Sequence, residues 1–434
     1  MASLKFYIET WGCQMNFLDS QRIYASFIRM GFEPASSLKE ADIYALNTCS
    51  VRKKSEEKVF SRLYEIKRLK EIGVLKKILL CGCIPENYGE EIIKKFPFVD
   101  YLVGPDQIQN IPSILKKERA VALDFEEKIS FQEEDFEREE EVMASVNVME
   151  GCNQFCSYCI VPFVRGREKS RSFYEIIKEV ESLAERGFTS LMLLGQVINN
   201  YKCPETGFKL HKLLEEISKI KEFKNIIFIT SHPHYFEESL IEVIGKYENL
   251  SPYIHLPAQS GSNKILKLMN RKYTVEEYFN LIEKIREVRK DASFSSDFIV
   301  GFPGEGETDF EETINLIKKV RYSSIYGFAY SPRQKTKAAE MEDKLKRKEK
   351  LERLNYLFKI QDEIQKEDNN KQVGRVFEVQ VYGKAKKPDD FYSGRTKDNR
   401  VVNFISSREL NKRDWVKVEI EEGLTHSLKG KEII

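Results

Sequence analysis

Short runs rich in β-branched and aromatic residues alternate with amphipathic stretches from Leu4 to Tyr330, and this alternation excludes most folds open to the chain. LKFYIET, DIYALN, KKILLC and VDYLVG punctuate residues 1–125, with helical runs such as Leu18–Met30 between them. Strand, helix, strand repeated in this way makes a parallel sheet covered on both faces. A doubly wound α/β domain is therefore expected over 1–125. Residues 126–141, EEKISFQEEDFEREEE, carry nine acidic against two basic residues and no sustained apolar period, the pattern of a solvated linker. Over 142–371 the alternation resumes six times, in SVNVME, SLMLLG, NIIFIT, PYIHL, FSSDFIVG and SIYGFAY. Six units fall short of the eight of a closed barrel, so a partial (βα)6 barrel is expected, with its chemistry at the carboxyl ends of the strands. The charged stretch 338–371 reads as a helix packed along that barrel on Leu345, Leu351, Leu354 and Leu357. From 372 to 434 the pattern changes to short alternating strands parted by Gly, Asp and Asn. That predicts a small antiparallel β-barrel of the size used to bind nucleic acids.

Lys plus Arg number 70 and Asp plus Glu 69, so nucleic-acid binding, if present, is regional. No run approaches the roughly 18 apolar residues of a membrane span, and MASLKFYIETWGCQMN lacks the apolar core of a secretory leader. A cytoplasmic location with no membrane partner is expected. In that reducing compartment the eight cysteines point to metal or redox chemistry rather than disulfides.

Cys152, Cys156 and Cys159 form C-x3-C-x2-C directly after the first barrel strand. Three thiolates on one loop can hold three irons of a 4Fe-4S cluster and leave the fourth open, whereas structural zinc normally takes four closed ligands. Cys13, Cys49 and Cys83 each follow a strand of the first domain. Loops at the carboxyl ends of neighbouring parallel strands converge, so these three thiols are expected to meet in one crevice as a second triad. Cys81 reads as core and Cys203 as a bystander, while Asn16 and Asn47 read either as hydrogen-bonding beside that triad or as fixing turns. His232, His234 and His255 are expected at the barrel mouth. Arg165 and Arg167, with Lys169 and Arg171, make a basic cluster that reads either as a solvated loop or as phosphate contacts to RNA.

CNQFCSYC, with Tyr158 between its last cysteines, resembles the signature of radical S-adenosylmethionine enzymes. LLGQ (Gly195, Gln196), HLPAQSGS (Gln259) and DFIVGFPGE (Gly301, Glu305) follow in the order of that superfamily's cofactor contacts. Together with VPFVRGRE, LMNRKYT, VVNF and the terminal barrel, they make the chain resemble the methylthiotransferase family from end to end. The resemblance implies two 4Fe-4S clusters, a radical one on Cys152, Cys156 and Cys159 and an auxiliary one on Cys13, Cys49 and Cys83. It also implies S-adenosyl-L-methionine held by Tyr158, Gly195, Gln196, Gln259, Gly301 and Glu305, and a C-terminal TRAM domain. Two molecules of S-adenosylmethionine are used, one to methylate a sulfur at the auxiliary cluster and one to give the radical that takes hydrogen from carbon 2 of the base. The substrate implied is N(6)-isopentenyladenosine in the anticodon stem-loop of tRNA, bound through Arg165, Arg167, Lys386, Lys387, Arg395, Lys397 and Arg400. A reductant protein and a sulfur donor are the expected partners of a monomer. The rival substrates are threonylcarbamoyladenosine in tRNA and an aspartate of a ribosomal protein; a zinc-bearing RNA-binding protein without catalysis is the rival of another class.

Overall fold

The computed structural model describes residues 3–51, 53–127, 129, 142–385 and 390–433. Its first unit is a wholly parallel sheet of six strands, β1 (Lys5–Trp11), β2 (Glu33–Pro34), β3 (Ile43–Thr48), β4 (Lys77–Gly82), β5 (Tyr101–Val103) and β6 (Ala120–Ala122), in the order β2-β1-β3-β4-β5-β6. The alternation along each strand explains its two covered faces. Tyr44, Leu46, Ile78, Leu80 and Leu102 enter one core, while Ile43, Ala45, Leu79, Cys81, Tyr101 and Val103 enter the other. Helix α1 (Gln14–Arg29) closes the second core with Ile23 and Phe27; α2 (Lys53–Glu71) closes the first with Val59, Leu63 and Ile66. Each such fully buried side chain contributes roughly 1.5–3 kcal/mol. Strands β2 and β6, two and three residues long, are too short to leave a sequence pattern and join only as edges. Three short helices, α3 (Cys83–Tyr88), α4 (Glu91–Lys95) and α5 (Ile111–Ile114), complete the unit.

The second unit has six parallel strands, as the alternation predicts, arranged as two sheets of three. Strand β7 (Ala144–Asn147) is followed by a short antiparallel pair, β8 (Met149–Glu150) and β9 (Lys169–Ser170); then come β10 (Ser190–Leu194), β11 (Asn225–Phe228), β12 (Tyr253–His255), β13 (Ser293–Val300) and β14 (Ser324–Ala329). The sheets are β11-β10-β7 and β12-β13-β14, bridged by the parallel pair Ile226–Leu250. The helices are α6 (Val161–Val164), α7 (Phe173–Glu185), α8 (Leu210–Ile217), α9 (Glu238–Lys246), α10 (Asn263–Leu268), α11 (Val275–Val288) and α12 (Glu307–Val320). One core joins the strands to all of these helices but α6, which packs in a separate cluster with Cys83.

A 24-residue helix, α13 (Arg347–Asn370), then runs down the outside of β14. It starts nine residues later than the sequence analysis expected, after a separate 3-10 turn at Lys337–Glu340. Leu357 is buried and Leu354 half-buried, whereas Leu351 is exposed, so the apolar side is narrower than expected. Gly327 makes the contact possible, because a Cβ there would lie 2.8 Å from Leu354 and 2.9 Å from Phe358. The N-terminal part of α13 meets Gly301 and Glu305 at the top of β13, and its last turns meet Arg321 below β14. The helix is about 36 Å long at 1.5 Å per residue. It delivers the chain to a closed five-stranded barrel, β15 (Val376–Lys384), β16 (Phe391–Thr396), β17 (Val401–Ile405), β18 (Trp415–Gly423) and β19 (Leu428–Glu432), in the order β15-β16-β17-β19-β18. One pair, β17 with β19, is parallel where a wholly antiparallel barrel was expected. An odd number of strands cannot alternate direction all the way round a closed ring.

This small barrel rests on the amino ends of the larger barrel's strands. Gln380 and Trp415 donate to Thr189 Oγ1 at 3.3 and 3.0 Å, Ser251 Oγ donates to the Lys397 carbonyl at 2.6 Å, and Arg413 lies 3.9 Å over the Phe188 ring. The described residues of the acidic stretch still pack on the first unit, through Glu126 N–H and the Asp106 carboxylate at 3.0 Å and through Ile129 against Met15 and Leu18.

Candidate active site

Cys152, Cys156 and Cys159 sit on the loop after β8, at the carboxyl end of the barrel. The backbone of that loop is pinned by the segment following α10. Ser157 N–H and Oγ donate to the carbonyls of Met269 (3.0 Å) and Leu268 (2.8 Å), and Asn270 Nδ2 donates to those of Gln154 and Phe155 at 3.3 and 3.1 Å. Phe155 is held at a φ of +48°, a region costly for a side-chain-bearing residue and found where surrounding structure enforces it. Arg271, from the same segment, is the cation of this site. Its Nη1 donates to Cys156 Sγ at 3.5 Å, its Nε to Tyr273 Oη at 3.0 Å and its Nη2 to the Pro257 carbonyl at 3.1 Å. The capping pair Thr274–Glu277 at the start of α11 fixes the chain just beyond it. Burial pushes the Cys152 thiol up to about 12 and raises Cys159 as well. Such thiols surrender their protons to a bound metal rather than to neutral water.

The second triad comes from three adjacent strands. Cys13 follows β1, Cys49 follows β3 and Cys83 follows β4, and these strands are neighbours in the order β1-β3-β4. Gly82, at a φ of +91°, lets the end of β4 close on the end of β3, since a Cβ there would meet the Thr48 carbonyl oxygen at 2.4 Å. Asn16 and Asn47 are cross-braced. Asn16 Nδ2 donates to Asn47 Oδ1 (3.2 Å) and the Thr48 carbonyl (3.1 Å), and Asn47 Nδ2 donates to the Asn16 carbonyl at 2.8 Å. Asn16 Oδ1 also accepts from the backbone N–H and Sγ of Cys13. Cys13 is exposed within the crevice, whereas Cys49 and Cys83 are buried. Hydrogen bonding with Cys49 first, aided by the Arg165 charge, lowers Cys13 to about 6 and Cys83 to about 7 against the opposing effect of burial; Cys49 itself is raised. Among the described residues no three His, Cys, Asp or Glu side chains crowd the one point that a single metal ion requires. Three thiols without a fourth ligand suit an iron–sulfur cluster with an open iron better than a closed zinc site.

The two triads are held against each other. Cys83 packs in one apolar cluster with Ile160 and Val164, which immediately follow Cys159 in the chain. Buried ion pairs lock the contact. Arg165 Nη2 donates to Asp19 at 2.6 Å, Lys169 pairs with Asp106, and Arg333, from the loop after β14, donates to Glu56 at 2.6 Å. Glu56 in turn accepts from Ser50, next to Cys49, and Ser50 Oγ accepts from Asn87 Nδ2 at 3.0 Å; Lys335 Nζ reaches the Asn87 carbonyl at 2.9 Å.

Other expected site residues fall into distinct groups. Tyr158 packs edge-on to Phe302, 6.4 Å between ring centres. Gly195 lies against Met149, and Gln196 Oε1 is a buried acceptor with no partner among the described residues. Gln259, at a φ of +68°, bonds through its backbone to Asp297 and Ile299, so its side chain is set by a strained turn over β13. Glu305 Oε1 accepts from Gly301 N–H at 2.7 Å and from Arg353 at 2.6 Å, so its carboxylate braces the turn after β13. Arg165 is a correction to the expected RNA surface, because it is only 4% exposed and points at Asp19. Lys169 and Arg171 are likewise turned inward, to Asp106 and Glu179. Arg167 alone of that cluster is exposed, its guanidinium 4.4 Å over the Phe155 ring. In the small barrel Arg395 donates to Asn399, Lys397 pairs with Glu378 at 3.2 Å, and Arg400 joins Asp398 to Asn369; Lys386 and Lys387 lie outside the described residues. Tyr392 and Phe404 are buried and stacked as barrel core. His232 is buried, its main chain held by Asn199 at both N–H and carbonyl, whereas His234 is exposed. The roles of Arg271, Asp19, Glu56 and Arg333 are not legible in the sequence. Arg271 stands in a quoted motif, LMNRKYT, but nothing local says that it turns back to a cysteine far upstream.

A parallel half-barrel carrying C-x3-C-x2-C on its first loop defines a radical S-adenosylmethionine protein. The Radical SAM superfamily model matches residues 146–317, the model described as uncharacterized protein family UPF0004 matches 5–104, and the TRAM domain model matches 370–433. The fold is similar to that of the radical S-adenosylmethionine methyltransferase TsrM from Kitasatospora setae, solved with cobalamin and a 4Fe-4S cluster bound, at a TM-score of 0.57 and 13% identity over 78% of this chain and 77% of that one. Sequence relatives are much nearer. The tRNA-2-methylthio-N(6)-dimethylallyladenosine synthase of Thermodesulfovibrio yellowstonii is 42% identical, over 98% of this chain and 97% of the relative. The synthases of Carboxydothermus hydrogenoformans (41%; 99% of each chain) and Bacillus subtilis (40%; 98% and 85%) follow. The chain belongs to the family of tRNA-2-methylthio-N(6)-dimethylallyladenosine synthases, radical S-adenosylmethionine methylthiotransferases. Among the described residues no helix is long and apolar enough to cross a membrane.

Proposed function

We propose that this chain places a methylthio group on carbon 2 of N(6)-isopentenyladenosine beside the anticodon of tRNA, with Cys152, Cys156 and Cys159 holding a radical 4Fe-4S cluster and Cys13, Cys49 and Cys83 an auxiliary one. The observation that carries the reading is the packing of Cys83 on Ile160 and Val164, which sets a sulfur-holding triad directly beside the radical loop. With S-adenosylmethionine bound, the radical cluster supplies a 5′-deoxyadenosyl radical, the reagent suited to an aromatic C–H bond that no ordinary base removes. The protein's task is then positional. Gln196 offers its unpartnered Oε1 to the methionine ammonium, and Arg271 offsets thiolate charge at Cys156. The three interdomain ion pairs hold the two cysteine triads in one fixed arrangement, so that groups held by each would meet at a set separation, which is where intramolecular reactions gain most of their rate.

Residues 1–125 would carry the auxiliary centre, 142–371 the radical centre and 372–434 the RNA grip. The grip lies at the foot of α13 and the cysteine loops at its head, so a substrate must span roughly the helix's 36 Å. An RNA stem held on the small barrel, with one loop base extruded into the mouth, fits that distance. Arg167, exposed at the mouth, and Arg395 and Lys397 below, together with Lys386 and Lys387, supply the phosphate contacts in this reading, in a cytoplasmic monomer fed by a reductant protein and a sulfur donor.

The test incubates anaerobically reconstituted protein with S-adenosylmethionine, sulfide, a strong reductant and an anticodon stem-loop carrying isopentenyladenosine, and identifies nucleosides by mass spectrometry. A 2-methylthio product is expected. Release of 5′-deoxyadenosine with the base untouched, and methylthiolation of a threonylcarbamoyladenosine stem-loop instead, would overturn the substrate.

A further inference from the structure

Arg165 has an unfinished hydrogen-bond inventory. Its Nη2 is spent on Asp19 at 2.6 Å, and both side chains are almost wholly buried, at 4% and 2% exposure. Its Nη1 is buried and has no partner at ordinary hydrogen-bond distance among the described residues, while the guanidinium's remaining reach is toward the Cys83 thiol. An unpartnered guanidinium N–H removed from water costs more than an ordinary missing hydrogen bond, because the donor is charged. Such a donor persists where a ligand completes it. The neighbours say what that ligand is. Val164 packs on Cys83, and the Arg165 charge bears on both Cys83 and Cys13.

We propose that Arg165 is a positioning residue for the auxiliary centre, its free Nη1–H donating to an anionic sulfur held there between Cys13, Cys49 and Cys83. The inference rests on the proposed auxiliary cluster and goes beyond it by naming the residue that binds the sulfur's charge. A guanidinium suits this role because it stays protonated and presents several N–H groups in a rigid fork. One edge is tied to Asp19 on the helix after Cys13, and the other is left for the sulfur. The same residue therefore links the docking of the first domain to the occupancy of its crevice. The equivalent cation of the radical triad, Arg271, has its Nε, Nη1 and Nη2 all engaged, so the unfinished donor is particular to the sulfur-holding side.

The test uses the full chain with Cys152, Cys156 and Cys159 replaced by Ala, so that iron can enter only the auxiliary triad. Iron content, the midpoint potential and the electron paramagnetic resonance signal of the reduced cluster are followed as inorganic sulfide is added. Arg165→Gln is expected to need about 10- to 100-fold more sulfide to shift the signal, the usual scale for removing a hydrogen bond around a metal site, and to lower the potential. Arg165→Lys, which keeps the charge, is expected to recover part of both. Asp19→Asn, which frees the guanidinium but leaves Nη1, is expected to stay near the parent. Equal sulfide response in the parent and Arg165→Gln overturns the inference. So does an Asp19→Asn variant as impaired as Arg165→Gln, which would make Arg165 a brace alone. A parent that takes up no iron overturns the auxiliary cluster itself, a distinct result.

Discussion

The two cysteine triads reach the same stoichiometry by opposite routes. Cys152, Cys156 and Cys159 are neighbours in sequence, and their loop needs the rest of the barrel only to be pinned, through Asn270 and Ser157. Cys13, Cys49 and Cys83 are strangers in sequence, assembled by the order of β1, β3 and β4 and by the close approach at Gly82. Each carries an arginine from the second unit, Arg165 buried and Arg271 half-buried. Arg271 reaches its own unit's cysteine, whereas Arg165 crosses to the other domain. A loop-encoded site depends on its local contacts, and a topology-encoded one depends on strand order and domain docking.

The sharpest way to break this comparison is to remove one sulfur from each. Cys83→Ala is expected to abolish methylthio product while 5′-deoxyadenosine still forms; Cys156→Ala is expected to abolish both, read by mass spectrometry of nucleosides and of the cleaved cofactor. Loss of 5′-deoxyadenosine in both variants would show that the centres do not act independently. Next in size is the docking lock. Arg333→Met strands the Glu56 carboxylate, which is 4% exposed, and breaking a buried pair from one side costs about 3–5 kcal/mol. Because Glu56 also holds Ser50 beside Cys49, iron is expected to leave the auxiliary triad before the radical one on heating, with the Arg333→Met/Glu56→Gln double variant recovering part of the loss.

The same contrast sets what was legible in the sequence. The strand–helix alternation carries both parallel units, and C-x3-C-x2-C carries its own loop, because period and spacing are local quantities. The convergence of Cys13, Cys49 and Cys83 was legible too, since a general rule places loops at the carboxyl ends of neighbouring strands. Arg165 was misread because a run of basic residues looks the same whether it faces water or a distant carboxylate. Asp19 on α1 lies 146 residues away, and no local pattern announces it. The bracing of Glu305 was hidden for a related reason, since Arg353 arrives from α13 to pair with it. The start of α13 was misplaced because a charged stretch fixes no boundary without a cap or an apolar period.

Arg271 tests whether the radical side tolerates loss of its cation. Arg271→Met removes the donor to Cys156 Sγ along with the bonds to Tyr273 and Pro257. Cofactor cleavage is expected to fall about 10- to 100-fold, with iron still bound, since losing a hydrogen bond around a metal site typically costs that much. Arg271→Lys should recover part of it. Unchanged cleavage in Arg271→Met would mean that the two arginines are not counterparts.

The smallest effect is a pH dependence, and it too lies on the radical side. His232 is buried beside Arg271, and desolvation first, then that charge, pushes its imidazole down to about 2 from an ordinary 6.5. The folded chain thus binds fewer protons than the unfolded chain once pH falls below about 6.5. The stability that follows is present in full above that value and is lost as pH falls towards the folded value. His232→Gln removes the titrating group. The stability difference between the parent and this variant should therefore shift against the parent by about 2 kcal/mol from pH 7 to pH 5. Thermal midpoints of both proteins at the two pH values measure it. Parallel losses in the two proteins would mean that acid acts through other groups, leaving the neutral histidine no share in the barrel's stability.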